Sequence, residues 1–233
     1  MLRIMSIKTI NFFIICLYLV SCVSEKKGTN KYNYFANLID SVEFAINVEK
    51  YEKATFLIHI LLREDSTHIK TNELYAELLK NLGRYNESTA IYTKLVELNP
   101  QNAIWYYTQQ SELNAKLGKK KVALSLANKV FQLSEDTFDY FFLKSNVHLY
   151  LKEYNSALNN LDSVLSINYS HFSNNEKKIL LYQKTYVLLC SGDTISTCLF
   201  YNLNKEKIDS FLINISQGDR FDFCNESDND KQN

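Results

Sequence analysis

The 233-residue sequence is 46% hydrophobic, enough for a full core in one or two domains, and it balances 26 basic against 26 acidic residues. Five glycines and a single proline are too few to punctuate a sandwich or barrel, which argues against a turn-rich β architecture and for long helices. Removing Arg3 and Lys8 with the first 21 residues leaves 24 basic against 26 acidic groups, a balance that gives no electrostatic reason for nucleic-acid binding.

At the amino terminus, Arg3 and Lys8 precede the apolar run Phe12 to Val20. A helix needs about 20 apolar residues to cross a bilayer, so this shorter run reads as a signal peptide over residues 1–21. Leu19, Val20, Ser21 and Cys22 resemble the lipobox of bacterial lipoproteins, with leucine three positions before a cysteine and a small residue just before it. The resemblance implies that the Cys22 thiol receives a diacylglyceryl group, that the chain is cut before it, and that the new amino terminus is acylated. Each buried methylene contributes about 0.8 kcal/mol, so several acyl chains hold a protein on a membrane without a spanning helix. The alternative is an ordinary cleaved signal with a chance cysteine. Val23 is not the aspartate that retains lipoproteins in the inner membrane in the enteric branch of that family, so the resemblance points to the outer membrane, facing the periplasm. Residues 22–33 are polar and aperiodic and read as a tether.

Further along, VEKYEKATFLIHILL, LGRYNESTAIYTKLV, LGKKKVALSLANKVF and LKEYNSALNNLDSVL begin at Val48, Leu82, Leu117 and Leu151, at separations of 34, 35 and 34 residues. A small residue recurs at Ala54, Ser88, Ala123 and Ala157, and a branched apolar one at Leu61, Leu95, Val130 and Val164. Tyr51, Tyr85 and Tyr154 share a position at which the third segment has Lys120. Such a period marks a solenoid. With Pro100 closing the second segment, the pattern resembles the tetratricopeptide repeat, which implies an all-α, right-handed helix-turn-helix solenoid with four units over residues 34–171. The residues themselves support this. Gly83 and Gly118 suit a left-handed helix terminus, the small residues let paired helices approach, and Pro100 ends a unit. Glu49 and Lys152 stand where that family usually has glycine, and Gln110 and Asn114 occupy normally packed positions, so local irregularity is expected in the third unit.

Residues 172–216 are expected to hold C-terminal capping helices out of register with the repeat: one over 174–190, a turn at Ser191-Gly192-Asp193, then helices near 194–203 and 204–216. The tail 217–233 is polar and is expected to be disordered.

For chemistry the sequence offers little. His59, His68, His148 and His171 show no metal-ligand spacing, and there is no phosphate loop or nucleophile elbow, so no metal, cofactor or catalytic residue is assigned. Glu64 and Asp65 read as solvated helix ends. Cys190 and Cys198 flank the Ser191-Gly192-Asp193 turn, where a bridge would join neighbouring helix ends; with Cys224 they are otherwise free thiols.

In the tetratricopeptide family the first helix of each unit lines a concave face along which a partner lies as a peptide or helix. The resemblance carries that face onto Glu77, Lys80 and Asn81, then Trp105, Thr108 and Glu112, then Phe142, Asn146 and Tyr150. The alternative places Trp105 and Phe142 between packed helices. By family analogy the protein is a lipid-anchored periplasmic adaptor for a protein partner, with membrane contact through the anchor alone and no nucleic acid. The competing reading is an envelope enzyme or carbohydrate-processing accessory built on the same scaffold.

Overall fold

The computed structural model describes residues 33–166 and 172–214, together with Phe221 and Cys224. The signal peptide, Cys22 and the tether up to residue 32 lie outside the described residues, as does the tail apart from Phe221 and Cys224. Among the described residues all regular structure is helical. The helices are α1 over 33–47, α2 (Tyr51–Glu64), α3 (Ile69–Asn81), α4 (Tyr85–Leu98), α5 (Ala103–Lys116), α6 (Lys120–Ser134), α7 (Thr137–Tyr150), α8 (Tyr154–Ser166), α9 (Asn174–Ser191) and α10 (Thr194–Asn214). A 3-10 turn at Pro100–Asn102 links α4 to α5. The chain divides into two compact units, one ending at Leu82 and the other beginning at Gly83.

One backbone device ends the first helix of each pair. Glu49, Gly83, Gly118, Lys152 and Gly192 all hold positive φ, between 57° and 81°. At Glu49 the N–H donates to the Ile46 carbonyl and the Lys50 N–H to the Ala45 carbonyl. Gly118 and Lys119 repeat this pattern on Ala115 and Asn114, and Lys152 and Glu153 repeat it on Leu149 and His148. These are Schellman closures, which satisfy helix-end carbonyls and reverse the chain at the cost of one left-handed residue. Five positions beyond each turn comes the small residue: Ala54, Ser88, Ala123 and Ala157, every one at 0% exposure. Thr197 stands five residues beyond Gly192 and is also fully buried. The α9–α10 pair, expected to cap the array, follows a 40-residue step from Lys152 to Gly192 in place of the 34 or 35 between the earlier turns, yet it carries the same turn and a buried residue at the same position.

In the first unit, Val42, Ala45 and Ile46 of α1 pack with Ala54, Leu57, Ile58 and Leu61 of α2 and Leu74 and Leu78 of α3. Lys70 and Glu43 add an ion pair at 2.6 Å between α3 and α1. In the second unit the core runs as successive local clusters. Ala115, Ala123, Ala127, Val130, Leu143 and Val147 join α5, α6 and α7. Phe138, Ala157, Leu161, Val164, Leu180 and Val187 join α7, α8 and α9. Leu181, Tyr201, Ile208 and Leu212 join α9 and α10 and are covered by Phe221 and Cys224. Neighbour-to-neighbour burial of this kind is how repeat arrays gain stability.

Three local expectations are corrected. Helix α5 is unbroken although it buries Gln110, Ser111 and Asn114, whose polar groups find partners apart from the Gln110 side-chain nitrogen. Ser111 donates to the Ala123 carbonyl at 2.8 Å, Asn114 donates to the Gln110 carbonyl, and the Gln110 side-chain oxygen accepts from Thr93. The expected break near residue 203 is also absent: α10 continues to Asn214, since no glycine or proline interrupts it and Ile208 and Leu212 extend the buried stripe begun by Thr197 and Tyr201. Finally, the bridge joins Cys198 to Cys224, with Cα atoms 5.0 Å apart, and Cys190 is a half-buried free thiol. Cys198 lies on α10 beside the cluster that Phe221 and Cys224 close, which brings Cys224 to it.

The turns make a direct prediction. A left-handed backbone costs a side chain about 1–2 kcal/mol, offset in part by the greater freedom of glycine in the unfolded chain. Glu49→Gly should therefore raise stability by about 0.5–1 kcal/mol in a thermal or urea melt. Gly118→Ala should lower it by a similar amount, about 0.5–1 kcal/mol, although an added Cβ would meet nothing within 4 Å, because the backbone conformation sets the cost.

Candidate functional site

One face of the second unit is built by α5, α7 and α9, and its central feature is a polar rung. The Asn146 amide donates to Glu112 at 3.0 Å and its carbonyl oxygen accepts from Gln183 at 2.8 Å. Three successive first helices are thus joined by side chains 34 and 37 residues apart. Glutamate accepts, asparagine does both, and glutamine donates, so each group is placed by its neighbour.

One turn along from the rung, the face becomes aromatic and cationic. Lys116 Nζ sits 4.8 Å from the Tyr150 ring and 5.5 Å from that of Tyr85, within cation–π range. Burial pushes the Tyr150 hydroxyl up to about 12, with Glu112, Tyr186 and Tyr85 adding to the effect. It stays a neutral donor and acceptor through the physiological range. Beyond it, Asn146, Tyr150, Lys152, Tyr154, Gln183, Tyr186 and Cys190 line an open hollow of about 410 Å³.

The residues expected on this face divide. Glu112, Asn146 and Tyr150 come together on it. Trp105 leaves 44% of its surface exposed, while its ring meets Tyr92 edge-on at 5.6 Å and lies 5.2 Å from Tyr106. It is anchored on one side and open on the other. Thr108 spends its hydroxyl on the Ile104 carbonyl of its own helix. Phe142 stacks on Phe138 at 5.8 Å and packs against the α7–α8–α9 cluster, so the packing alternative applies to it. Glu77, Lys80 and Asn81 belong to α3 in the first unit, where Glu77 is exposed beside a hollow shared with Glu43 and Lys70, Lys80 is half-buried and Asn81 is exposed.

Lys116, Gln183 and Tyr186 escape the sequence reading. Gln183 and Tyr186 do so because the broken register of α9 resembles a cap, although Gly192 carries the same turn signal as Gly83 and Gly118. Of the histidines, His59 is exposed with its ring 6.2 Å from that of Tyr75, and His68 caps α3 by accepting from the Thr71 N–H. His171 lies outside the described residues. His148 is buried and meets Glu153 at 2.7 Å, and the same carboxylate pairs with Lys120 at 2.8 Å. This small network ties the start of α6 to the α7–α8 turn.

A model of the tetratricopeptide repeat matches residues 69–102. The fold is similar to a tetratricopeptide repeat protein from Parabacteroides merdae, with a TM-score of 0.60 at 12% identity over 85% of this chain and 79% of that one. It is also similar to a thermophilic tetratricopeptide repeat protein of Thermus thermophilus, with a TM-score of 0.59 at 16% identity over 82% and 98%. MamA from Desulfovibrio magneticus gives 0.51 at 12% identity over 76% and 96%. No curated protein sequence matches the chain. Residues 69–102 are a tetratricopeptide repeat, and the chain has the helical-repeat fold of these structures.

The Glu153 network is testable by pH. Lys120 first and His148 second hold the Glu153 carboxyl below its ordinary 4.5, so the stabilisation it gives is complete above 4.5 and is lost as pH falls through the lowered folded value. Glu153→Gln should melt below the parent protein at neutral pH, and the gap should close under acid conditions below 4.5. A gap that persists in acid would assign the effect to packing instead.

Proposed function

We propose that the protein is an adaptor of the bacterial cell envelope, anchored by acyl groups on Cys22 at the periplasmic side of the outer membrane, and that it holds a protein partner along the face of α5, α7 and α9. The observation that carries the binding reading is the rung from Glu112 through Asn146 to Gln183, with Tyr150 and Tyr186 beside it and half-exposed Trp105 two turns before Glu112 on α5. Side-chain amides fixed in this way present aligned donors and acceptors to an extended backbone or a helix, and aromatic groups beside them supply contact area at small entropic cost. Repeat scaffolds offer such elongated faces as a consequence of stacking.

Two features support the envelope part. The LVSC run ends a short apolar segment preceded by Arg3 and Lys8. The Cys198–Cys224 bridge suits an oxidising compartment such as the periplasm. Among the described residues no helix is long and apolar enough to cross a membrane. In this reading attachment rests on Cys22.

Both parts have direct tests. Affinity capture from washed envelopes, followed by identification of what co-purifies, supplies the partner. Trp105→Ala should then weaken capture by at least about 2 kcal/mol. Trp105 is only half covered, so its melt should fall by less than the about 3–5 kcal/mol of a fully buried aromatic. Retained capture with a normal melt would move the partner to another surface. For the anchor, mass spectrometry of the amino-terminal peptide should show acyl groups on Cys22, and Cys22→Ser should abolish that modification. An unmodified native Cys22 would overturn the anchor.

A further inference from the structure

The left-handed turn residue aligns the second helices of all five pairs, and so permits a comparison within the chain. Three, seven and eleven positions after it, α4 carries Asn86, Ala90 and Lys94, α6 carries Lys121, Ser125 and Lys129, and α8 carries Asn155, Asn159 and Ser163. In α2 the set is Glu52, Phe56 and Ile60. In α10 it is Ile195, Leu199 and Leu203, exposed by 77%, 63% and 81%. Spaced four apart, these three side chains form one ridge, on the side of α10 opposite buried Thr197, Tyr201 and Ile208. The repeat does not require this ridge, since the equivalent positions of α4, α6 and α8 are mostly polar.

The next step along the same ridge is Lys207. Among the described residues, Lys207, Lys177, Lys178 and Asn174 line one hollow of about 400 Å³. Of the acids close by, Glu176 caps α9 by accepting from the Ser173 N–H and Asp209 accepts from the Tyr201 hydroxyl at 2.6 Å, while exposed Glu206 shares a second hollow with Leu203, Lys205 and Lys207, where the cations outnumber it. An apolar ridge thus runs into a cluster of cations.

We propose that this ridge and its lysines form a second membrane contact, specific for an anionic phospholipid surface. Ile195, Leu199 and Leu203 enter the boundary between headgroups and acyl chains, while Lys178 and Lys207, with Lys177 beside them, meet lipid phosphates. Three aliphatic side chains are too small an area for a stable protein interface, which needs roughly 1,200–2,000 Å² in total. A weak surface contact is sufficient for a protein already held nearby, because tethering raises the effective concentration of the second site. The inference rests on the proposed anchoring in this last respect. It departs from the expectation that the lipid anchor is the sole membrane contact.

The test places a tryptophan on the ridge. Leu199→Trp in a Trp105→Phe background of the full chain is reconstituted in phosphatidylcholine vesicles with or without phosphatidylglycerol, with brominated acyl chains as quencher. Emission should shift to the blue and be quenched only with phosphatidylglycerol, and both effects should be lost in raised salt or on adding Lys178→Glu and Lys207→Glu. Leu203→Trp, at a still more exposed position, gives the same reading should the first variant fold poorly. Unchanged emission in both lipids overturns the inference. So does protection of the tryptophan from an aqueous quencher only in native envelopes, which would mean a protein occupant. The mass of the amino-terminal peptide is read on the same sample. An acylated chain without quenching overturns the α10 contact alone. An unacylated native chain overturns the anchor, while quenching by added anionic vesicles would still support the α10 contact.

Discussion

Each helix pair depends on one constraint: the chain must reverse within three residues and then let two helices close. The reversal needs a residue at positive φ, and the closure needs a side chain of small volume five positions later. Where these are Gly118 and Ala123, both demands are met without strain. At Glu49 and Lys152 the left-handed conformation is imposed on an ordinary side chain, and the two Schellman hydrogen bonds with the burial beyond them hold it there. The geometry is therefore retained even where the sequence departs from its cheapest solution, because tertiary packing outweighs a local penalty of about 1–2 kcal/mol.

That closure has a consequence for the face of α5, α7 and α9. Fixing the pairs at a regular period brings equivalent turns of α5 and α7 side by side, so Glu112 and Asn146, 34 residues apart, fall within hydrogen-bonding distance. The step to α9 is 37 residues, and Gln183 still completes the rung. A face assembled this way has side chains positioned by one another as well as by their own helices. Buried groups such as Gln110 and Ser111 face inward on the same helix as Trp105 and Glu112, so α5 is polar on two sides for different reasons: one side satisfies the core and the other is open.

This double polarity explains what was legible in the sequence and what was not. The turn positions and the small residues were readable because each answers to a single physical demand at a fixed spacing. Helix α5 looked irregular because a list of polar residues does not reveal that Ser111 reaches the Ala123 carbonyl twelve residues away. Phe142 and Trp105 looked alike as aromatic residues on first helices, yet one stacks into the α7–α8–α9 core and the other keeps an open side. The pairing of Cys198 was beyond reach for a related reason. Proximity to the turn favoured Cys190, whereas the chain beyond α10 returns to bury Phe221 and Cys224.

The end of a repeat array lacks the neighbour that covers every internal pair, and the residues at this terminus address that lack. Tyr201, Ile208 and Leu212 would face solvent if α10 simply stopped the chain; Phe221 and Cys224 fold back over them instead. Two residues bury little area and alone would hold that position weakly. The bridge from Cys198 to Cys224, 26 residues apart in sequence, offsets this by restricting the unfolded chain, an effect of about 3–4 kcal/mol for a loop of that length. A covalent link thus does at the terminus what the next helix does elsewhere. Among the described residues this cover lies on the inward side of α10, and the opposite ridge of Ile195, Leu199 and Leu203 is open to solvent.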